Sequence, residues 1–281
     1  MRAIDVRHTG RERVICCWEV DGVLVDPGPQ STEATLLEAL GDEPPRAILL
    51  THIHFDHAGA TGSLLRRWPG VPVYVHERGA PHMVDPERLV KSAGRLYGGE
   101  EGLRRLWGEV VPVPEDSLHV LEGGERLLDG AFRVTYTPGH ASHHVCYLHE
   151  DSGWAFVGDM AGVRAAPDTL TLAPTPPPDI DVEAWERSLD AIAEWRPQGL
   201  GLTHFGAAED AGGQLEAVRE ALRAQVELLE GGDQDAFIAA LRERVRAGAG
   251  PYAESVLQAA PPDHLFLGLD RWRNRRAGTL G

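Results

Sequence analysis

The sequence predicts a mixed α/β layer fold with a helical C-terminal extension, on three observations. Apolar runs of strand length alternate with amphipathic helical stretches for most of the chain. Turn pairs at Asp21-Gly22, Gly123-Gly124 and Asp129-Gly130 place hairpins among those strands, which favours mixed sheets over a purely parallel one. Beyond residue 206, Leu215, Val218, Leu222, Val226 and Leu229 recur at spacings of three and four, the period of a helix with one apolar face.

Residues 14–25 read as a β-hairpin about Asp21-Gly22, stopped by Asp26-Pro27-Gly28-Pro29. Ser31 caps a short helix over 32–40, and Pro44-Pro45 separates it from the buried-strand run 47–50. A second α/β step follows, with a helix over 58–68 and a strand over 71–75. Residues 81–107 are helical and polar but interrupted by Gly94, Gly98-Gly99 and Gly102, so they read as an insertion facing the substrate and not a core layer. Strands return over 118–159 and end in the apolar runs 145–148 and 154–157. A proline-rich stretch covers 171–181, followed by an amphipathic helix over 182–195, a short strand over 200–203 and helix to about 247. The expected organisation is a catalytic domain over 1–206, with the insertion at about 81–107, and a helical extension over 207–281 packed on it.

A chain of 281 residues with 42% hydrophobic and 25% charged residues has enough apolar surface for a large core. The net charge of −16 repels polyanions, so nucleic acid is not an expected partner. The arginines of 88–105 and Arg271, Arg273, Arg275 and Arg276 read as solvated helix or tail surface. Cys16, Cys17 and Cys146 are odd in number and lack paired spacing, so they are expected to be small buried hydrophobes and not a disulfide framework. No stretch has the length and apolarity of a membrane span, and the first residues lack the apolar run of a signal peptide. A cytoplasmic location is the expectation, with no membrane partner; oligomeric state is not legible.

One segment carries the chemistry: Thr51-His52-Ile53-His54-Phe55-Asp56-His57, directly after the apolar run 47–50. In extended backbone His52, His54 and Asp56 project to one side, while His57 begins the next helix and turns back toward them. Imidazole and carboxylate suit zinc and similar divalent ions, whose charge also offsets the crowding of acidic groups. His140, Asp159 and His204 each follow an apolar run and a small or turn residue, which sets them at strand ends on rigid elements beside an open mouth. His8, His76, His82, His119, His149 and His264 lack such a pattern.

The set His52-x-His54-x-Asp56-His57, then His140, Asp159 and His204 in order, resembles the metallo-β-lactamase superfamily of hydrolases over roughly residues 14–206. The resemblance implies an αββα sandwich of two mixed sheets with helices outside. It implies that His52, His54 and His140 hold one metal, that Asp56, His57 and His204 hold the other, and that Asp159 bridges them. Asp26 matches the family's early Asp-x-Gly turn, whose carboxylate supports the metal site from behind the ligands. Two divalent ions per chain are expected, zinc first, with iron or manganese as alternatives.

Such a pair, roughly 3.5–4 Å apart, shares a water and makes hydroxide available at neutral pH as the nucleophile. Asp56 and Asp159 are the expected catalytic carboxylates, Asp56 also accepting a hydrogen bond from that hydroxide. Thr137-Pro138-Gly139-His140 is similar to glutathione-thioester hydrolases, so a small acyl substrate, thioester or lactone, is expected. The segment Met160-Ala161-Gly162-Val163-Arg164 and the modest basicity of 214–229 depart from those enzymes. Arg164, His143 and His144 are the candidate substrate contacts. Alternatives on the same ligand set are a mononuclear iron sulfur dioxygenase, a phosphodiesterase and a β-lactamase. The diiron oxygen-reducing relatives have Glu where this chain has His54, which argues against them. A purely structural role conflicts with retention of the whole ligand set.

Overall fold

The computed structural model describes residues 1–278 in two compact units, Met1–Glu125 and the chain from Arg126 onward. The first unit holds a six-stranded mixed sheet in chain order: β1 (Arg2–Asp5), β2 (Cys16–Val20), β3 (Val23–Val25), β4 (Ala47–Leu49), β5 (Val73–His76) and β6 (Leu118–Leu121). The first three strands pair antiparallel, and β3 through β6 pair parallel. Asp21 and Gly22 both have positive φ, 51° and 77°, the backbone that a tight hairpin between twisted strands requires. β3 and β4 are buried along their whole length, as strands inside a parallel layer are.

The second unit holds a six-stranded mixed sheet in the order β12-β11-β10-β9-β8-β7. Its strands are β7 (Arg126–Leu127), β8 (Phe132–Tyr136), β9 (Val145–His149), β10 (Trp154–Gly158), β11 (Gly199–Leu202) and β12 (Gly206–Ala208). Only β10 and β11 pair parallel. One apolar cluster runs from Cys146, Leu148, Val157 and Leu202 on these strands through Trp185 and Leu222 to Phe237 and Leu269 on the helices that follow. Each large side chain buried there contributes about 1.5–3 kcal/mol.

The helices lie near the expected places, with informative differences. The helix expected over 58–68 is two, Phe55–Ala58 and Thr61–Arg67, so His57 lies inside a first short turn. The insertion is three helices, Ala80–Val84, Glu87–Gly94 and Glu100–Trp107, divided at Asp85-Pro86 and Gly98-Gly99. The long C-terminal helix breaks at Gly232 into Ala211–Gly231 and Gln234–Gly248, because Asp233 caps a new start by accepting from Ala236 N. Ala253–Ala259 and Pro262–Arg276 extend the helical region beyond residue 247. The last three residues of the expected 207–281 extension lie outside the described residues.

Both sheets place chemistry at the carboxyl ends of adjacent parallel strands, where chain leaving a rigid layer is free to present side chains. Val25 pairs with Leu49, so β3 delivers Asp26 beside the exit of β4, which continues into Thr51 and His52. Gly158 pairs with Leu202, so β10 delivers Asp159 beside the exit of β11 toward His204.

Candidate metal centre

In the first unit, Asp26 is fully buried and accepts three hydrogen bonds. Thr51 N donates to Oδ1 at 2.8 Å, Thr51 Oγ1 donates to Oδ2 at 2.7 Å, and His57 Nδ1 meets Oδ2 at 2.8 Å. For neutral imidazoles these contacts assign two tautomers. His57 carries its proton on Nδ1, facing Asp26, and its bare nitrogen is Nε2. The Thr51 hydroxyl has spent its proton on Asp26, so its oxygen accepts from His52 Nδ1 at 3.1 Å, and the bare nitrogen of His52 is again Nε2. That nitrogen lies 3.0 Å from His54 Nδ1, and the His52 and His57 rings have centroids 3.9 Å apart. Asp56 Oδ2 is 3.9 Å from His57 Nε2, with a fifth of the Asp56 side chain open to solvent.

In the second unit, His140 Nδ1 lies 2.8 Å from Pro174 O. A carbonyl only accepts, so Nδ1 holds the proton and Nε2 is the bare nitrogen of neutral His140. Nε2 lies 3.2 Å from Asp159 Oδ2, and His204 Nε2 lies 3.5 Å from Asp159 Oδ1. His140, Asp159 and His204 are all buried.

These contacts test whether the residues fit a metal. Bare imidazole nitrogens facing carboxylate oxygens in dry surroundings repel one another unless a proton or a cation lies between them. The far nitrogens of His52, His57 and His140 are held by Thr51, Asp26 and Pro174, the arrangement that orients imidazoles for a metal. The donors are nitrogen and oxygen with no thiolate, which suits zinc, iron or manganese, and His/Asp groups close enough to hold an ion are present.

The remaining expected residues are placed as follows. Arg164 is buried, with one terminal nitrogen on Gln214 Oε1 at 3.1 Å and the other on Ala207 O; burial pushes its guanidinium below its usual pKa. Its main-chain N donates to His204 O at 2.7 Å. Arg164 thereby ties the chain after β10 to His204, Ala207 and Gln214. His144 Nδ1 lies 2.9 Å from Thr137 Oγ1, closing the loop that carries His140, and His143 is buried in the same loop. The insertion is anchored within its unit: His8 stacks on Trp107 at 4.7 Å and 7°, with its Nε2 2.9 Å from Leu106 O. Cys16, Cys17 and Cys146 are buried thiols outside any disulfide, and burial pushes the Cys17 thiol up.

Thr51 and the Pro174 carbonyl escaped the sequence reading. A hydroxyl immediately before the first histidine was a visible signal for Thr51. No signal in the sequence marks a backbone carbonyl 34 residues from the imidazole it receives.

Comparison with known proteins identifies the family of the chain. The metallo-beta-lactamase superfamily profile matches residues 19–197. The metallo-beta-lactamase fold-containing protein ST1585 of Sulfurisphaera tokodaii is 31% identical over 212 residues, covering 68% of this chain and 71% of that protein. Its solved structure superposes with a TM-score of 0.68 at 22% identity, over 97% of this chain and 98% of that one. A hydroxyacylglutathione hydrolase of Legionella pneumophila is 32% identical over 151 residues, half of this chain but only 44% of that enzyme. The structure of TTHA1623 in a di-iron-bound form has a TM-score of 0.53 at 26% identity, over 73% of this chain and 93% of that one. With two mixed sheets, flanking helices and this match, the chain belongs to the metallo-β-lactamase superfamily of metal-dependent hydrolases.

Proposed function

We propose that the chain is a dinuclear metal hydrolase of small acyl substrates, thioester first and lactone second. In this reading His52, His54 and His140 hold one ion, Asp56, His57 and His204 the other, and Asp159 both. The observation that carries it is the pattern of imidazole contacts above: one ring nitrogen of His52, His57 and His140 is tied back by Thr51, Asp26 or Pro174, while the other faces His54, Asp56 or Asp159 within the same unit. Bound divalent ions would supply Lewis acidity and a water reactive near neutral pH. Asp56, partly open to solvent, accepts a hydrogen bond from the attacking water at its carboxylate and holds it in line with the acyl carbon. Asp26 and Thr51 keep His52 and His57 from rotating as charge develops. Arg164, His143 and His144 remain proposed substrate contacts.

The thioester preference is supported by Thr137-Pro138-Gly139-His140 and by the likeness to hydroxyacylglutathione hydrolases over half the chain. Zinc is the proposed metal, and three buried thiols support a reducing, cytoplasmic location. The test is elemental analysis of protein purified without chelator, followed by kcat/KM on an acyl-thioester, an acyl-lactone and a β-lactam. About two divalent ions per chain and a preference for the thioester are expected. A single iron per chain with no esterase activity would replace this reading with a dioxygenase one.

A further inference from the structure

The proposed ligands His140 and Asp159 leave different strands of the second unit, so something must set their separation. Both carriers meet the amino end of one helix, Val182–Glu194. Its capping residue Asp181 donates its own N–H to Gly139 O at 2.9 Å, and Ser188 Oγ donates to Pro138 O at 2.6 Å. Between them lies Trp185, with no solvent exposure. Its indole Nε1 donates to Met160 O at 3.0 Å, the residue after Asp159. Its ring stands edge-on to His140, with centroids 5.6 Å apart at 86°. The approach is so close that a Cβ on Gly139 would fall 2.4 Å from Trp185 Cα, which only glycine allows.

We propose that Trp185 is the positioning residue that sets the spacing of His140 and Asp159 for metal binding, with Asp181 at the cap and Ser188 at the middle of the same helix anchoring it. A hydrophobic side chain would fill this volume equally well. The indole differs in joining both carriers at once: its N–H holds the chain just past Asp159, and its ring packs against the His140 imidazole that Pro174 O orients. The arrangement holds Nε2 of His140 at 3.2 Å from Asp159 Oδ2. A change that keeps the volume and removes the N–H would loosen only the Asp159 side.

This inference rests on the assignment of His140 and Asp159 as ligands, and the experiment separates the two. Full-length wild type, Trp185→Phe, Asp159→Ala and Phe237→Leu are stripped of metal. Zn2+ affinity is then measured by competition with a chromophoric chelator, and the d–d absorption of the Co2+-loaded forms is recorded. Phe237 is buried in the same apolar cluster on another helix and controls for loss of packing. Trp185→Phe is expected to weaken Zn2+ binding about 10–100-fold and to shift the Co2+ bands, with Phe237→Leu binding within about twofold of wild type at a lower Tm. Equal affinities in Trp185→Phe and Phe237→Leu, or unchanged Co2+ bands, would overturn the inference and leave the ligand assignment standing. Zn2+ binding by Asp159→Ala equal to wild type, or none by wild type, would overturn both. Should Trp185→Phe fail to fold, Ser188→Ala, which cuts the helix's bond to Pro138, carries the test with an expected loss of at least about threefold.

Discussion

At the scale of single residues, Thr51 is the most testable feature. Its hydroxyl donates to Asp26 and accepts from His52, so no apolar replacement can serve both partners. Thr51→Val should destabilise the metal-free protein by about 1–3 kcal/mol, since it leaves a buried carboxylate oxygen and an imidazole N–H short of partners. It should also weaken Zn2+ binding about 10–100-fold, and Thr51→Ser should restore most of both losses. Denaturant unfolding and metal titration of the three proteins decide it; Val behaving like Ser would sink the assigned tautomer of His52. The proposed ligands stand out in the sequence because four of them lie within six residues and the other three each follow an apolar run. What could not be read were partners joined by folding alone: Asp26 with His57, 31 residues apart, and His140 with Pro174.

Among the elements, the edge of the second sheet has a charge clamp. Glu150, just beyond β9, accepts from Arg133 Nε at 3.0 Å on β8 and from Arg126 at 2.8 Å on β7, so one carboxylate spans three strands. Its pKa is lowered, first by the hydrogen bond to Arg133. A carboxyl depressed in the folded state adds stability above its unfolded pKa of about 4.3, and that stability is lost as pH falls through the folded value. Glu150→Gln should therefore cost about 0.5–1 kcal/mol near neutral pH, the scale of a partly exposed ion pair, and the gap from wild type should close on acidification below the carboxylate range. Urea unfolding across that range measures it, and a gap that widens in acid would contradict the clamp. The hairpin about Asp21-Gly22 and the parallel strands were legible because alternation and apolar runs directly reflect which faces are buried. β1 and β12 were not: Arg2–Asp5 is half polar, and Gly206–Ala208 has no side chain large enough to show a pattern. The last two helices escaped because Pro251 and the Pro261-Pro262 pair break the period that would have revealed them.

For the whole molecule, the net charge of −16 shapes encounters more than stability. The tail arginines are tied to the chain's own carbonyls and carboxylates, and although Arg271, Arg275 and Arg276 are exposed, four positive charges are few against this total. Arg271 donates to Pro178 O, Arg273 to Leu229 O and Arg275 to Ile180 O, while Arg276 pairs with Glu183 at 3.0 Å. Single-stranded RNA and bis(p-nitrophenyl) phosphate should accordingly be cleaved at least about tenfold less efficiently than the best acyl substrate at fixed salt and zinc. Faster cleavage of either polyanion or diester would remove the acyl preference while leaving the ligand assignment intact. Among the described residues no helix is long and apolar enough to cross a membrane. The fold class was legible at this scale because the alternation of strands and helices survives local errors at their ends.

The dependence of two imidazoles on one buried carboxylate has a consequence for descent. A lineage can keep every letter of the proposed ligand set and still lose the chemistry through a change at Asp26, because the letters would remain while two rings lost their orientation, His57 directly and His52 through Thr51. Such a chain would be a pseudoenzyme with an intact-looking motif. Its silence would be written 26 and 31 positions before the two histidines it disables.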